Sequence, residues 1–128
     1  MISVEKVQGI GGFFFRAKDP ETLGQWYLDH LGINLAPRDM DMVPWVSDAG
    51  VTVFSPFAED TDYFAADHSF MLNFRVGDLD AMVRQLESAG IDVYNRQNME
   101  GIGRFAHLRD PEGTPIELWE PSPTGDSE

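Results

Sequence analysis

The chain has 128 residues, no cysteine and a formal net charge of −13. That length suits one domain with a buried core, and the missing cysteines exclude disulfide staples, thiolate nucleophiles and Cys-type zinc sites. The charge opposes phosphate backbones, so nucleic acid is not an expected partner; it serves solubility or draws in cationic small molecules. No basic stretch runs into an apolar core at the start, and no apolar run nears the ~20 residues a bilayer span needs. A cytoplasmic protein with no signal peptide and no membrane partner is the expectation.

In chain order, residues 9–17 are rich in Phe and read as a strand. Asp19 then offers an N-cap with Pro20 at the first helical position. Leu23, Trp26, Tyr27 and Leu31 follow at helical spacing, and Gly32 closes the helix as a left-handed cap. Three short strand-like segments come next, near 34–39, 43–47 and 51–56. The aromatic stretch 57–68 connects this half to the next. Phe57, Tyr63 and Phe64 in it pack on the sheet, pack on a partner subunit, or form a lid over a pocket.

The same order then repeats. Residues 69–76 read as a strand, Asp78 caps a helix carrying the stripe Leu79, Met82, Val83 and Leu86, and Gly90 ends it. Strands are expected near 92–97, 103–109 and 115–120, with the turn Asp110-Pro111-Glu112-Gly113 between the last two. Arg16 and Asp19 recur as Arg75 and Asp78, an offset of 59 in both cases. A repeat of this period means one supersecondary unit used twice. The expected fold class is therefore α+β: two βαβββ modules, about 7–56 and 69–121, forming a curled, mostly antiparallel sheet with helices on one side. The single domain covers 1–122, and 123–128 read as a flexible tail.

Phe15-Arg16-Ala17-Lys18-Asp19-Pro20, the helix end Trp26-Tyr27-Leu28-Asp29-His30-Leu31-Gly32, and Asp110-Pro111-Glu112-Gly113 leading into Ile116-Glu117-Leu118 together resemble the vicinal oxygen chelate superfamily. That superfamily holds glyoxalases, bleomycin resistance proteins and extradiol dioxygenases, and the resemblance covers nearly all of 7–121. It implies a cup-shaped sheet with a small-molecule site on the concave face and, often, a homodimer that completes the cup. Metal-using members draw ligands from four places, which here fall on Gly12, Thr52, Met71 and Glu117. Of these only Glu117 is an ordinary ligand for a divalent ion. The resemblance thus implies a small-molecule binder with no cofactor and no metal site. The alternative is a metal-dependent lyase or dioxygenase with a divalent ion at Glu117 and His107, and Glu100 as a distant third ligand.

If the last two strands form a hairpin with 109 opposite 115, then 107 lies opposite 117 on one face. His107 and Glu117 then make an acid–base pair, or a half-buried histidine satisfied by an ion pair and doing no chemistry. Alternation puts Phe14 and Arg16 on the face of Gly12, and Asn73 and Arg75 on the face of Met71. The two arginines bind an anionic group on a ligand or serve the acidic helix starts. Trp45, Phe54, Phe105 and Trp119 are candidates for an aromatic pocket. The expected site is thus His107 and Glu117 as catalytic candidates, with Phe14, Arg16, Trp45, Thr52, Phe54, Met71, Asn73, Arg75 and Phe105 binding ligand.

Overall fold

The computed structural model describes residues 5–37 and 39–123. Helix α1 spans Pro20–Leu31. The Asp19 side chain accepts from Thr22 N at its start, and Gly32 (φ 71°) closes it in the left-handed region. The second half then supplies β1 (Leu72–Arg75), α2 (Leu79–Ser88), β2 (Tyr94–Met99), β3 (Gly103–Arg109) and β4 (Pro115–Pro121). Asp78 caps α2 by accepting from Ala81 N.

The four strands form one sheet in the order β1-β4-β3-β2, with β1 and β4 parallel and the other two pairs antiparallel. This is the α+β arrangement expected of one strand–helix–three-strand block. Even-numbered residues of β3 and β4 (Ala106, Leu108, Ile116, Leu118) face the helices and are fully buried. They meet Leu23 and Tyr27 of α1 and Leu79, Val83 and Leu86 of α2 in a common core. Each buried leucine or isoleucine contributes about 1.5–3 kcal/mol by leaving water. Odd-numbered residues, His107 and Glu117 among them, face the other way.

The first half departs from the expected symmetry. The segment 9–17 and the stretches near 34–39, 43–47 and 51–56 are not strands among the described residues, and Arg38 lies outside them. Several of their apolar side chains stand in solvent, Phe14 at 95% and Phe54 at 85% exposed, while Phe13 and Phe15 pack on Phe70. The physical reason is a missing partner. The β3–β4 hairpin closes through a local turn, whereas the first-half segments have no ladder among the described residues. The tail from 124 onward also lies outside the described residues.

The Asp-Pro-Glu-Gly turn joins the two halves. Asp110 N donates to Thr114 O, and Gly113 N to Asp110 O. The buried Asp110 carboxylate accepts from Glu112 N and Thr114 N on one oxygen and from the Tyr27 hydroxyl (2.7 Å) on the other. Burial and this bond push the Tyr27 phenol well above its ordinary range. Glu112 reaches back to accept from Lys18 N (2.6 Å) and Asp19 N (2.9 Å), fixing the chain where it enters α1. Glu120 does the same for α2, accepting from Leu79 N at 2.8 Å.

Candidate ligand-binding site

Strands β3 and β4 pair with Arg109 opposite Pro115, Leu108 opposite Ile116 and His107 opposite Glu117, the register the turn implies. His107 and Glu117 are each 5% exposed, and His107 Nε2 lies 2.9 Å from Glu117 Oε2. Two further side chains reach the carboxylate. Asn73 of β1, the residue paired with Glu117 in the parallel ladder, donates from Nδ2 to Oε1 at 2.7 Å. The Tyr63 hydroxyl donates to Oε2, and its ring stands edge-on to the His107 ring at 5.4 Å.

Burial works to raise the Glu117 carboxyl, but the bonds from His107, Tyr63 and Asn73 outweigh it and hold the group below the usual carboxylate range. Glu117 is therefore an anion. Burial, with the bond to that anion, pushes the Tyr63 phenol up, so Tyr63 is a donor across the physiological range. On the far side of His107, Asn95 Nδ2 lies 3.1 Å from Nδ1, and Gln97 Nε2 donates to Asn95 Oδ1 at 3.0 Å.

Above this floor lies a cavity of about 460 Å³ between the segment 61–66 and the sheet. Tyr63, Phe64, Met71 and Tyr94 give it apolar walls, His107 and Asn95 line its floor, and Asp62 and Arg109 add one charge of each sign. Arg109 donates to Gly113 O at 2.9 Å and lies 3.9 Å from Asp67.

The structure brings together His107, Glu117, Asn73 and Met71 from the expected set. It does not bring in the others. Phe14, Arg16, Thr52 and Phe54 are exposed in the first half and do not line the cavity. Trp45 packs on Phe74 (6.3 Å) on the helix side, in a separate groove of about 290 Å³ that also includes Leu31 and Met82. The Arg75 guanidinium donates to the carbonyls of Asp48 (3.0 Å) and Ala49 (3.4 Å), so it pins a loop. Phe105 is buried and stacks on Trp119 (6.1 Å, 2° between planes) away from the cavity. Tyr63, Asn95 and Tyr94 were not expected. For Tyr63 the one available signal was the aromatic content of the connecting segment, which does pack on the sheet and forms a cavity wall.

The Glu117 carboxylate is already engaged by protein donors. It takes three hydrogen bonds, from Tyr63, Asn73 and His107. Among the described residues no three of His, Cys, Asp and Glu are grouped to hold an ion.

A single strand–helix–three-strand sheet with a second helix on the same side, and a cavity on its free face, defines the glyoxalase/bleomycin-resistance/dioxygenase class of fold. The glyoxalase-like domain family matches residues 12–119, and the chain belongs to that family. No curated protein matches it significantly. Among solved structures it resembles TnmS3, an antibiotic binding protein from Streptomyces sp. CB03234 (24% identity, TM-score 0.65, covering 92% of this chain and 99% of that one). It also resembles lactoylglutathione lyase from Agrobacterium tumefaciens (18%, 0.61, 94% and 98%). A bleomycin resistance determinant encoded on the transposon Tn5 is a third (20%, 0.50, 83% and 92%).

Proposed function

We propose that the chain binds a flat, largely apolar small molecule in the cavity between residues 61–66 and the sheet, without a metal ion. The observation that carries this reading is the state of Glu117: its carboxylate is compensated by Tyr63, Asn73 and His107, which supply the positive partial charge a cation would otherwise bring. The cavity volume falls within the ~300–1,000 Å³ typical of small-molecule sites, and Tyr63, Phe64, Met71 and Tyr94 give it apolar walls beside a few polar groups. Antibiotic binding by TnmS3 and the resistance role in the name of the Tn5 determinant support sequestration over turnover.

The proposal extends to a homodimer in the cytoplasm. The exposed apolar residues of the first half, Val7, Ile10, Phe14, Val51, Val53 and Phe54, form extended segments without ladder partners, and a second copy would supply the sheet edges they lack.

The test is equilibrium dialysis against bleomycin and a panel of aromatic compounds of about two to four fused rings, each with and without EDTA. The expected result is saturable binding of at least one compound, unchanged by EDTA and abolished in Ala66→Trp, which fills the cavity. Binding that is lost with EDTA, together with near-stoichiometric Ni, Zn, Mn or Fe in protein purified without a histidine tag, would overturn it in favour of a metal-dependent lyase or dioxygenase. Binding that survives Ala66→Trp would place the ligand elsewhere, and no binding across the panel would also count against the reading.

A further inference from the structure

Asn95 is the one non-glycine residue with positive φ (55°) among the described residues. It sits where the β2–β3 register breaks between Tyr94 and Gln97, so an extra residue bulges out of the strand at the edge of the cavity. Asparagine tolerates the left-handed region better than most residues, yet a glycine would meet the turn with less strain. The side chain is what distinguishes the two choices, and here it lies 3.1 Å from Nδ1 of the buried His107.

We propose that Asn95 is the positioning residue of this site, donating from its amide to His107 Nδ1 and so fixing His107 as the Nε2–H tautomer aimed at Glu117. The direction follows from the partners at either end. Gln97 Nε2 donates to Asn95 Oδ1, which turns the Asn95 amide nitrogen toward the ring. Glu117 is an acceptor on the opposite side, so Nε2 carries the proton there. Every bond in the chain Gln97, Asn95, His107, Glu117 then points the same way, and Tyr63 and Asn73 donate into the same end. Such aligned bonds reinforce one another.

The consequence deepens the binding reading and rests on it. With Nδ1 accepting from Asn95 and Nε2–H donating to Glu117, His107 offers a ligand its ring face and no basic nitrogen. At the floor the polar group left to a ligand is a donor, the second N–H of the Asn95 amide, while the Arg109 guanidinium and the Asp62 carboxylate add a donor and an acceptor elsewhere in the lining. Beside His107 the site therefore favours a ligand group that accepts a hydrogen bond, such as a carbonyl or ether oxygen.

The experiment is long-range proton–nitrogen correlation NMR on ligand-free protein labelled at histidine, at neutral pH. His30→Gln and His68→Gln variants assign the three rings. In the parent protein His107 Nδ1 is expected to show the shift of an unprotonated, hydrogen-bonded nitrogen, and Nε2 that of a protonated one. Asn95→Gly keeps the backbone conformation but removes the amide, and should move the Nδ1 signal toward that of a free lone pair. Asn95→Asp should reverse the polarity and put a proton on Nδ1. A proton on Nδ1 in the parent protein, or an Asn95→Gly spectrum identical to it, would overturn the proposal. Because no ligand is present, failure here is separate from failure of the dialysis experiment.

Discussion

Tyr63→Phe removes one hydroxyl and keeps the ring that packs on His107 and, at 5.7 Å, on Phe57. The lost bond ends on an ionised acceptor, and such bonds contribute about 1.5–3 kcal/mol. Tyr63 is only half-buried and borders an open cavity, so a water can take the place of the hydroxyl and return part of that. The net loss should be about 1–2 kcal/mol, which for a domain of this size lowers Tm by about 4–8 °C. A second consequence separates this mechanism from general loosening. With one of its three donors gone, the Glu117 carboxyl is held down less firmly, so the acid-induced loss of stability should begin at higher pH in the variant. Urea denaturation across an acid-to-neutral pH series measures both. Tyr94→Phe is the control: its ring lies 6.0 Å from His107, but its hydroxyl has no partner among the described residues, so it should change stability by less than about 0.5 kcal/mol. A Tm for Tyr63→Phe within about 1 °C of the parent, with an unchanged acid limb, would refute the claim that the connecting segment is tied to Glu117.

In the parent protein the Glu117 contribution has a definite sign. Its folded pKa lies below the ordinary carboxylate value, so the unfolded chain takes up the proton first; the stabilisation is present above that ordinary value and is lost as pH falls through the folded one. Glu117→Gln should remove this part of the acid limb while lowering neutral-pH stability, both visible in the same urea series. Tyr27→Phe strips the Asp110 carboxylate of its partner between α1 and the turn, at a cost of about 1.5–3 kcal/mol by thermal denaturation. Gly103→Ala should be worse: φ is 143° and a Cβ there would lie 2.3 Å from Glu120 O, so backbone strain and a clash combine to about 3 kcal/mol or more, or to insoluble protein on expression.

How much of this was legible in the sequence depended on how local the cause was. Asp19 with Pro20, Asp78, and Gly32 are signals read within one helical turn, and both helices start and α1 stops where those residues say. The hairpin register followed from the Asp110 to Gly113 turn, and with it the adjacency of His107 and Glu117. Asn73 and Met71 share a face by alternation, but the stagger of a parallel pair is set by distant packing, and it is Asn73 that falls beside the carboxylate. Asn95 was hidden by its bulge, because one extra residue in β2 changes which side chain meets His107. Tyr63 lies in a segment with neither helical nor strand period; its aromatic content pointed to packing on the sheet but not to Glu117 as its partner. The strands expected at 43–47 and 51–56 have the right composition, yet composition does not supply the neighbour to which a strand must bond.

The acidic residues of the repeated motifs and the acidic residue of the site do different work. Asp19 and Asp78 cap the helices, Glu112 and Glu120 hold the backbone where each helix begins, and Asp110 ties the turn to α1. These bonds explain why Asp-Pro-Glu-Gly stands where it does without invoking a ligand: the motif clamps one half of the chain to the other. Glu117 alone among these carboxylates is held by a cluster of side chains on the free face of the sheet. Tyr63 comes from the connector, Asn73 from the parallel edge strand, and Asn95 from a bulge that breaks the register. The groups around Glu117 thus come from three separate elements, so exchanges at 63 and 95 alter this cluster while the capping and turn bonds that hold the fold stay in place.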